Sequence, residues 1–399
     1  MAHLAGKTKA GLGYVMAAAR KPHSLKSTLL TARLKERIAR KGPISVAAYM
    51  EACLADTDAG YYPSRQPIGT DGDFITAPEV SQIFGELLGL WAVSVWQSMG
   101  EPKPIVVAEL GPGRGTLMAD AMRAWRSVPE FLANVTVALI ETSPVLREVQ
   151  QTALYGSDAP VSWCRRLEDA PRGPLIVIAN EFVDALPVRQ LVWRAHEWHE
   201  RCVRIGPSGG FDFCEGHAIS SEALQQLADT LDVPDGSILE IRPAADTLVA
   251  ALAARAQHAP LAALIVDYGH EATACGDTLQ AISRHKFADP LQNPGEVDLT
   301  AHVDFAALKD AAIAHGLTAY GPMPQGAFLL RLGLEARRDR LCEGATDEQC
   351  QALIAGTNRL VDPLAMGLLF KALVIASPGL APPPPFGDSQ EQTSAGHGH

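Results

Sequence analysis

The sequence predicts an α/β protein built on a parallel sheet with helices on both faces. Three observations carry this. From residue 105 onward, short β-branched runs alternate with helical segments, the pattern of repeated βαβ units. The first run leads through Glu109 into Gly111-Pro112-Gly113-Arg114-Gly115, a turn with glycine at every second position, and then an amphipathic stretch from Leu117 to Trp125. Successive runs end in polar clusters, Glu141-Thr142-Ser143-Pro144, Asn180-Glu181-Phe182-Val183-Asp184 and Asp267-Tyr268-Gly269-His270. Ligands of open α/β sheets bind at those carboxyl ends.

Taken in order, residues 1–27 are basic and alanine-rich, a composition shared by transit peptides and by disordered extensions; the alanine bias of the whole chain favours the second. Leu29, Leu30, Leu34 and Ile38 then recur at helical spacing until Gly42-Pro43, and Ser45 caps a second helix to about Leu54. Residues 55–75 form a long loop expected to act as a lid. Thr76-Ala77-Pro78-Glu79 has the pattern of a capping box, opening a helix from Val80 to about Ser98. Strands follow at 105–109, 135–140, around Val161 and at 175–179, with helices at 116–126 and 145–154. Residues 188–236 turn β-rich and form an insertion. Strand 238–241, helix 244–257 and strand 261–266 resume the α/β pattern. A Gly/Pro-rich loop (269–297), helix 304–315 and strands near 317–320 and 368–376 close the sheet. The expected organisation is a disordered extension (1–27), a helical region with the lid (28–100), a main domain (101–377) and a disordered tail (378–399).

Composition narrows the class. At 47% hydrophobic and 20% charged residues the chain is an ordinary globular protein rather than a disordered one. The apolar stretch Ile83–Met99 contains Glu86, Ser94 and Gln97, so it is a buried helix and no membrane insertion is expected. Seven scattered cysteines include no C-x-x-C pair, which points to reduced thiols without a zinc knuckle or disulfide framework. Net charge is −11, and residues 1–41 carry ten Lys or Arg against the single acid Glu36, leaving about −20 on the rest. Such a body argues against a nucleic-acid substrate. It suits a cationic partner such as a basic peptide, and equally serves solubility.

The glycine spacing excludes two common ligands. A dinucleotide fingerprint would need glycine at position 116, where Thr stands, and no P-loop Lys follows the turn. What remains is E-x-G-x-G-x-G, with Glu109, Gly111, Gly113 and Gly115. An acid there suits an ammonium group and repels a pyrophosphate. Glu141, 32 residues beyond Glu109, ends the next strand and can accept both hydroxyls of a ribose. Ammonium, ribose and no phosphate describe S-adenosylmethionine. The bland alternative makes Glu109 a turn cap and Glu141 surface charge. Glu181 and Asp184, at the third strand end, could hold a guanidinium and help remove a proton from an attacking nitrogen; alternatively Asp184 caps a helix. Asp267 and His270 form a second anchor or merely end a strand, and His302 with Asp304 reads as a capped helix start. His196-Glu197-Trp198-His199 lacks the i, i+4 histidines of H-E-x-x-H, so no metal is expected.

Four blocks resemble one family: Gly72 to Leu87, Glu109 to Leu117, Asn180 to Pro187, and Gln325-Gly326-Ala327-Phe328-Leu329. The chain resembles the MidA-like methyltransferases, which include the mitochondrial complex I assembly factor and many bacterial proteins, over roughly 28–377. The resemblance implies a class I S-adenosylmethionine fold, Rossmann-like, and for mitochondrial members methylation of an arginine on a complex I subunit. It places the cofactor on Glu109, Gly111, Gly113, Gly115 and Glu141. The expected compartment is a bacterial cytoplasm, with the mitochondrial matrix as the alternative. A non-catalytic assembly chaperone and a small-molecule methyltransferase are the competing functions.

Overall fold

A computed structural model describes residues 25–64, 76–283 and 286–389. The chain opens with helix α1 (Leu25–Lys41), which buries Leu30, Leu34 and Ile38. Residues 25–27, expected in the disordered extension, are already helical. Leu29, grouped with the buried face in the sequence, is 42% exposed, because one residue is a 100° step around a helix. Gly42, at φ 84°, ends the helix. Helix α2 (Val46–Ala55) is capped as expected, Ala48 N–H donating to Ser45 Oγ at 3.2 Å. The start of the expected lid is a turn held by the Asp56 carboxylate, followed by the single helical turn Tyr61–Ser64. Residues 65–75, the rest of that lid and the beginning of the Gly72 block, lie outside the described residues.

The capping box at Thr76 and Glu79 does not form. Thr76 opens the turn Ala77–Val80 without a side-chain cap bond, and Glu79 instead accepts from Thr116 Oγ1 at 2.6 Å. A hydroxyl on a neighbouring element has claimed the carboxylate. Extended Ser81 then caps helix α3 (Gln82–Ser98) through Ile83 N–H.

The main sheet comprises β1 (Ile105–Leu110), β2 (Val135–Ile140), β3 (Val161–Cys164), β4 (Leu175–Asn180), β5 (Leu261–His270), β6 (Thr318–Pro324) and β7 (Phe370–Ala376), in the order β3-β2-β1-β4-β5-β7-β6. All neighbours are parallel except β7, which runs antiparallel to β5 and β6. The chain leaves β1 towards β2 and β3, then returns to place β4 on the other side of β1. That reversal opens a crevice between the ends of β1 and β4, where such sheets take ligands. Its central strands β1, β4 and β5 are buried almost throughout, as a sheet covered on both faces must be.

Helix α4 (Thr116–Trp125) lies across α3 on one face. The helices touch through glycine: a Cβ at Gly89 would sit 2.7 Å from Ala121 Cα, and one at Gly85 2.7 Å from Asp120 Cβ. Trp96, Trp125 and Phe131 pack edge to face beside this crossing, with Phe131 5.3 and 5.2 Å from the two indoles. Helix α5 (Pro144–Ala153) follows β2. Helices α6 (Pro243–Ala256) and α7 (Phe305–Ala314) cover the other face, where Val249, Leu252, Phe305 and Leu308 meet the sheet.

The insertion is an antiparallel sheet of 189–194, 197–205 and 211–219 with a helix at 222–231. It reaches further than the sequence pattern indicates. Strand Ile238–Ile241 pairs with 189–194 and belongs to this sheet, not to the main one, while Ile44-Ser45 adds the opposite edge. The Gly/Pro-rich loop carries a small sheet of 280–283, 286–288 and 298–300. Helix α8 (Asp347–Val361) packs on the Ala77–Val80 turn.

Two further expectations are corrected. Residues 378–389 are not loose tail: Tyr320 OH donates to Leu380 O at 2.8 Å and Phe386 packs 5.9 Å from Phe328. Cys342 and Cys350 are bonded to each other, leaving five free cysteines. The turn between the Leu334–Cys342 helix and α8 brings them together, a proximity that an eight-residue spacing does not announce. Among the described residues no helix is long and apolar enough to cross a membrane.

Candidate functional site

The carboxyl ends of β1, β2, β4 and β5 converge on one cleft of about 650 Å³, whose lining includes Gly111, Gly113, Glu141, Glu181, Asp184 and Tyr268. A smaller pocket beneath it shares Gly111, Gly113 and Glu181 and adds Glu109 and Asn180. All seven site residues singled out from the sequence therefore belong to one locality, with Gly115 just behind the turn.

Glu109 is the last residue but one of β1 and is 3% exposed. Its Oε2 has no hydrogen-bond partner among the described residues, and burial pushes the carboxyl up to about 8. The turn that follows keeps Gly111, Gly113 and Gly115 at φ 63°, 53° and 83°, backbone that L side chains rarely adopt. At Gly111 a Cβ would also stand 2.8 Å from Phe182 Cδ2. The turn thus needs glycine both for its dihedrals and for the approach of the next wall. Thr116 then starts α4 and is tied to Glu79.

Glu141 lies just beyond β2. Ser143 N–H donates to its Oε1 at 2.7 Å and Gln150 Nε2 to its Oε2 at 3.1 Å. Burial raises its carboxyl, and those donors oppose the shift. Ser143 also caps α5 through Leu146 N–H and donates its hydroxyl to Tyr62 O. The Tyr61–Ser64 turn is thereby held against the Glu141 wall of the cleft.

Asn180 ends β4 and Glu181 follows it. Glu181 has φ 49°, and its Oε1 accepts from Ala77 N–H at 3.0 Å and from Asn180 Nδ2 at 3.3 Å. Burial pushes its carboxyl up to about 7. Asp184 does not cap a helix. Its Oδ2 accepts from Tyr268 OH at 2.6 Å, its Oδ1 is buried without a partner among the described residues, and burial raises the carboxyl. Asp267 is fully buried and takes neither of the two expected roles. Its Oδ2 accepts the consecutive N–H groups of Phe182, Val183 and Asp184 at 3.2, 2.9 and 3.1 Å, so it anchors the turn carrying both carboxylates.

No local sequence pattern marks out Arg242. Half-buried just after the strand Ile238–Ile241, it donates to the carbonyls of Leu186, His302 and Ala301, and its field reaches Asp184, Asp267 and Glu240. Burial lowers its ordinarily high pKa. Tyr62, whose OH meets the Asp298 carboxylate at 3.1 Å, and Gln150 were also not singled out. Their partners lie 236 and 9 residues away, and no local pattern encodes the longer pairing. Asp304 caps α7 through Ala307 N–H, as its pattern indicates. His196 and His199 sit on the inserted hairpin, away from the cleft, and no group of three metal-ligating side chains occurs among the described residues.

A family model described as S-adenosyl-L-methionine-dependent methyltransferase matches residues 87–323. A Drosophila melanogaster protein named mitochondrial protein arginine methyltransferase NDUFAF7 homolog is 37% identical over 87% of this chain and 84% of its own. The Homo sapiens protein arginine methyltransferase NDUFAF7, mitochondrial, is 36% identical over 86% and 82%. A protein from Burkholderia thailandensis, solved with bound S-adenosyl-homocysteine, superposes with a TM-score of 0.78 at 29% identity, covering 90% of this chain and 94% of that one. The sheet order, the glycine turn at its switch point and these likenesses agree: the chain belongs to the class I S-adenosyl-L-methionine-dependent methyltransferases of this family.

Proposed function

We propose that the protein transfers a methyl group from S-adenosylmethionine to an arginine guanidinium of a protein substrate. The observation that carries the reading is the pair of carboxylates, half-buried Glu181 and buried Asp184, facing the same cleft as the glycine turn. The cofactor residues fit the group. Glu109 offers an orphaned carboxylate oxygen for an ammonium, the glycine turn offers backbone at close approach, and Glu141 offers a clamped carboxylate for a ribose diol. Bound there, S-adenosylmethionine supplies an electrophilic methyl on a positively charged sulfur.

The chain's own work is positioning and proton management. Asp184, held by Tyr268, and Glu181, held by Ala77 N–H, accept guanidinium N–H groups and fix the plane of the acceptor. Glu181, raised to about 7, can take the proton that the attacking nitrogen loses. The names of the curated relatives support arginine as the acceptor. The family resemblance supports a subunit of respiratory complex I as the protein that carries it. A bacterial cytoplasm is supported by the Burkholderia neighbour, and the relatives named mitochondrial favour a matrix; a fluorescent fusion in the source cell distinguishes them.

The test is methyl transfer. Protein incubated with methyl-labelled S-adenosylmethionine and extract from cells lacking the gene is expected to label methylarginine in hydrolysed protein. Glu181→Gln and Asp184→Asn should each cut that label about 100-fold while still binding S-adenosylhomocysteine. Cofactor binding without labelled arginine overturns the reading. Label in dialysable compounds then indicates a small-molecule acceptor, and no label at all a chaperone.

A further inference from the structure

Gln150 is fully buried on α5, two turns after the Ser143 cap, and contributes nothing to the cleft lining. Both N–H groups of its amide and one lone pair of its oxygen are used. The Nε2 group donates to Gly113 O at 2.8 Å and to Glu141 Oε2 at 3.1 Å, and Oε1 accepts from Trp163 Nε1 at 3.0 Å. Trp163 can only donate, and Gly113 O and a carboxylate oxygen can only accept, so the amide has one permitted orientation. The helix backbone reinforces the contact, since a Cβ at Gly115 would stand 3.6 Å from Gln150 Cα.

We infer that Gln150 is the positioning residue that locks the glycine turn to the Glu141 carboxylate. One side chain fixes the separation between the backbone that meets the amino-acid end of the cofactor and the carboxylate that meets its ribose. The inference rests on the placement of S-adenosylmethionine proposed above. With Ser143 N–H on one carboxylate oxygen and Gln150 on the other, Glu141 keeps a fixed plane, and its remaining lone pairs are left for the diol. Trp163, on β3, acts one step further out by holding the amide from turning over.

Calorimetry with S-adenosylhomocysteine tests this, alongside melting curves that verify folding. Gln150→Leu should weaken binding about 30-fold, the loss of hydrogen bonds to a charged and a backbone acceptor. Trp163→Phe, which touches neither acceptor, should weaken it about threefold. Because Gln150 acts through Glu141, adding Glu141→Gln to Gln150→Leu should cost less than the product of the two single losses. With 3′-deoxy S-adenosylhomocysteine, the Gln150→Leu penalty should shrink to below about fivefold. A purely structural Gln150 would lower the melting temperature and weaken both ligands equally, and that overturns the inference. Wild-type affinity in Gln150→Leu, with binding lost in Gly113→Val and Glu141→Gln, also overturns it and leaves the cofactor site standing. Wild-type affinity in Gly113→Val and Glu141→Gln refutes the cofactor placement itself. Should Gln150→Leu not fold, Trp163→Phe and the deoxy ligand decide.

Discussion

Replacing Gly111 with alanine strikes two walls of the cleft at once, and a matched control separates the causes. Alanine at φ 63° costs about 1 kcal/mol from backbone alone. Its Cβ would stand 2.8 Å from Phe182 Cδ2, where carbon contacts settle at roughly 3.5–4.0 Å. The ring must therefore retreat by roughly 1 Å. Phe182 cannot slide easily, because its own N–H and the next two are held on Asp267. Overpacking of this kind costs about 1–3 kcal/mol. Gly100 has a similar left-handed φ of 83° but nothing within 4 Å of its Cβ position. Gly100→Ala should accordingly lose about 1 kcal/mol in urea unfolding and bind S-adenosylhomocysteine unchanged. Gly111→Ala should lose about 2–4 kcal/mol and bind at least tenfold more weakly. Adding Phe182→Leu should restore part of the stability. Equal unfolding free energies for the two alanine variants would refute the collision, and unchanged affinity in Gly111→Ala would refute the role of the turn.

Other consequences follow from buried charge and from close contacts. Glu109 is raised to about 8, above its unfolded value of 4.5, so the folded state holds a proton that the unfolded chain has released. Its contribution to stability is therefore lost as pH rises from about 4.5 through 8. In melts across that window, Glu109→Gln should flatten the decline, and an unchanged slope would dismiss the assignment. Binding a ligand ammonium beside Glu109 at pH 7 should release close to one proton, read from calorimetry in buffers of different ionisation enthalpy; no dependence on buffer would count against the pairing. Arg242→Met leaves buried Asp184 and Asp267, and Glu240, without their nearby counter-charge, at a cost of about 3–5 kcal/mol. A melting point within a degree of wild type would contradict that role. Gly89→Leu should separate α3 from α4 and cost at least about 1–3 kcal/mol in urea unfolding; a loss below a few tenths would mean the helices do not depend on that approach. Alkylation of denatured, unreduced protein should modify five cysteines, and seven would disprove the Cys342–Cys350 bond.

Local chemistry made much of the main domain legible. Strands such as β2 and β4 are short, apolar and bounded by polar clusters, so period and punctuation find them within a residue. The glycine turn was equally readable, because left-handed backbone at three alternate positions restricts the residue type to glycine and so writes itself into the sequence. The position of Glu109 and Glu141 at strand ends is likewise a local fact.

Where the same residue types serve partners far along the chain, sequence is silent, and tertiary structure alone decided the outcome. Thr76 and Glu79 have the spacing of a capping box, yet Glu79 goes to Thr116, a hydroxyl that only folding brings near. Strand 238–241 looks like the next strand of the main sheet, yet it pairs with 189–194, since a four-residue apolar run carries no label for its neighbour. The acceptor side of the cleft shows this most plainly. Glu181 and Asp184 stand in one loop, but their orientation comes from Ala77, Tyr268 and Asp267, each more than 80 residues away. The sequence is enough to expect a sulfonium nucleoside at the glycine turn. Only the folded chain determined how the facing carboxylates are aimed, because aim is set by hydrogen bonds between distant residues.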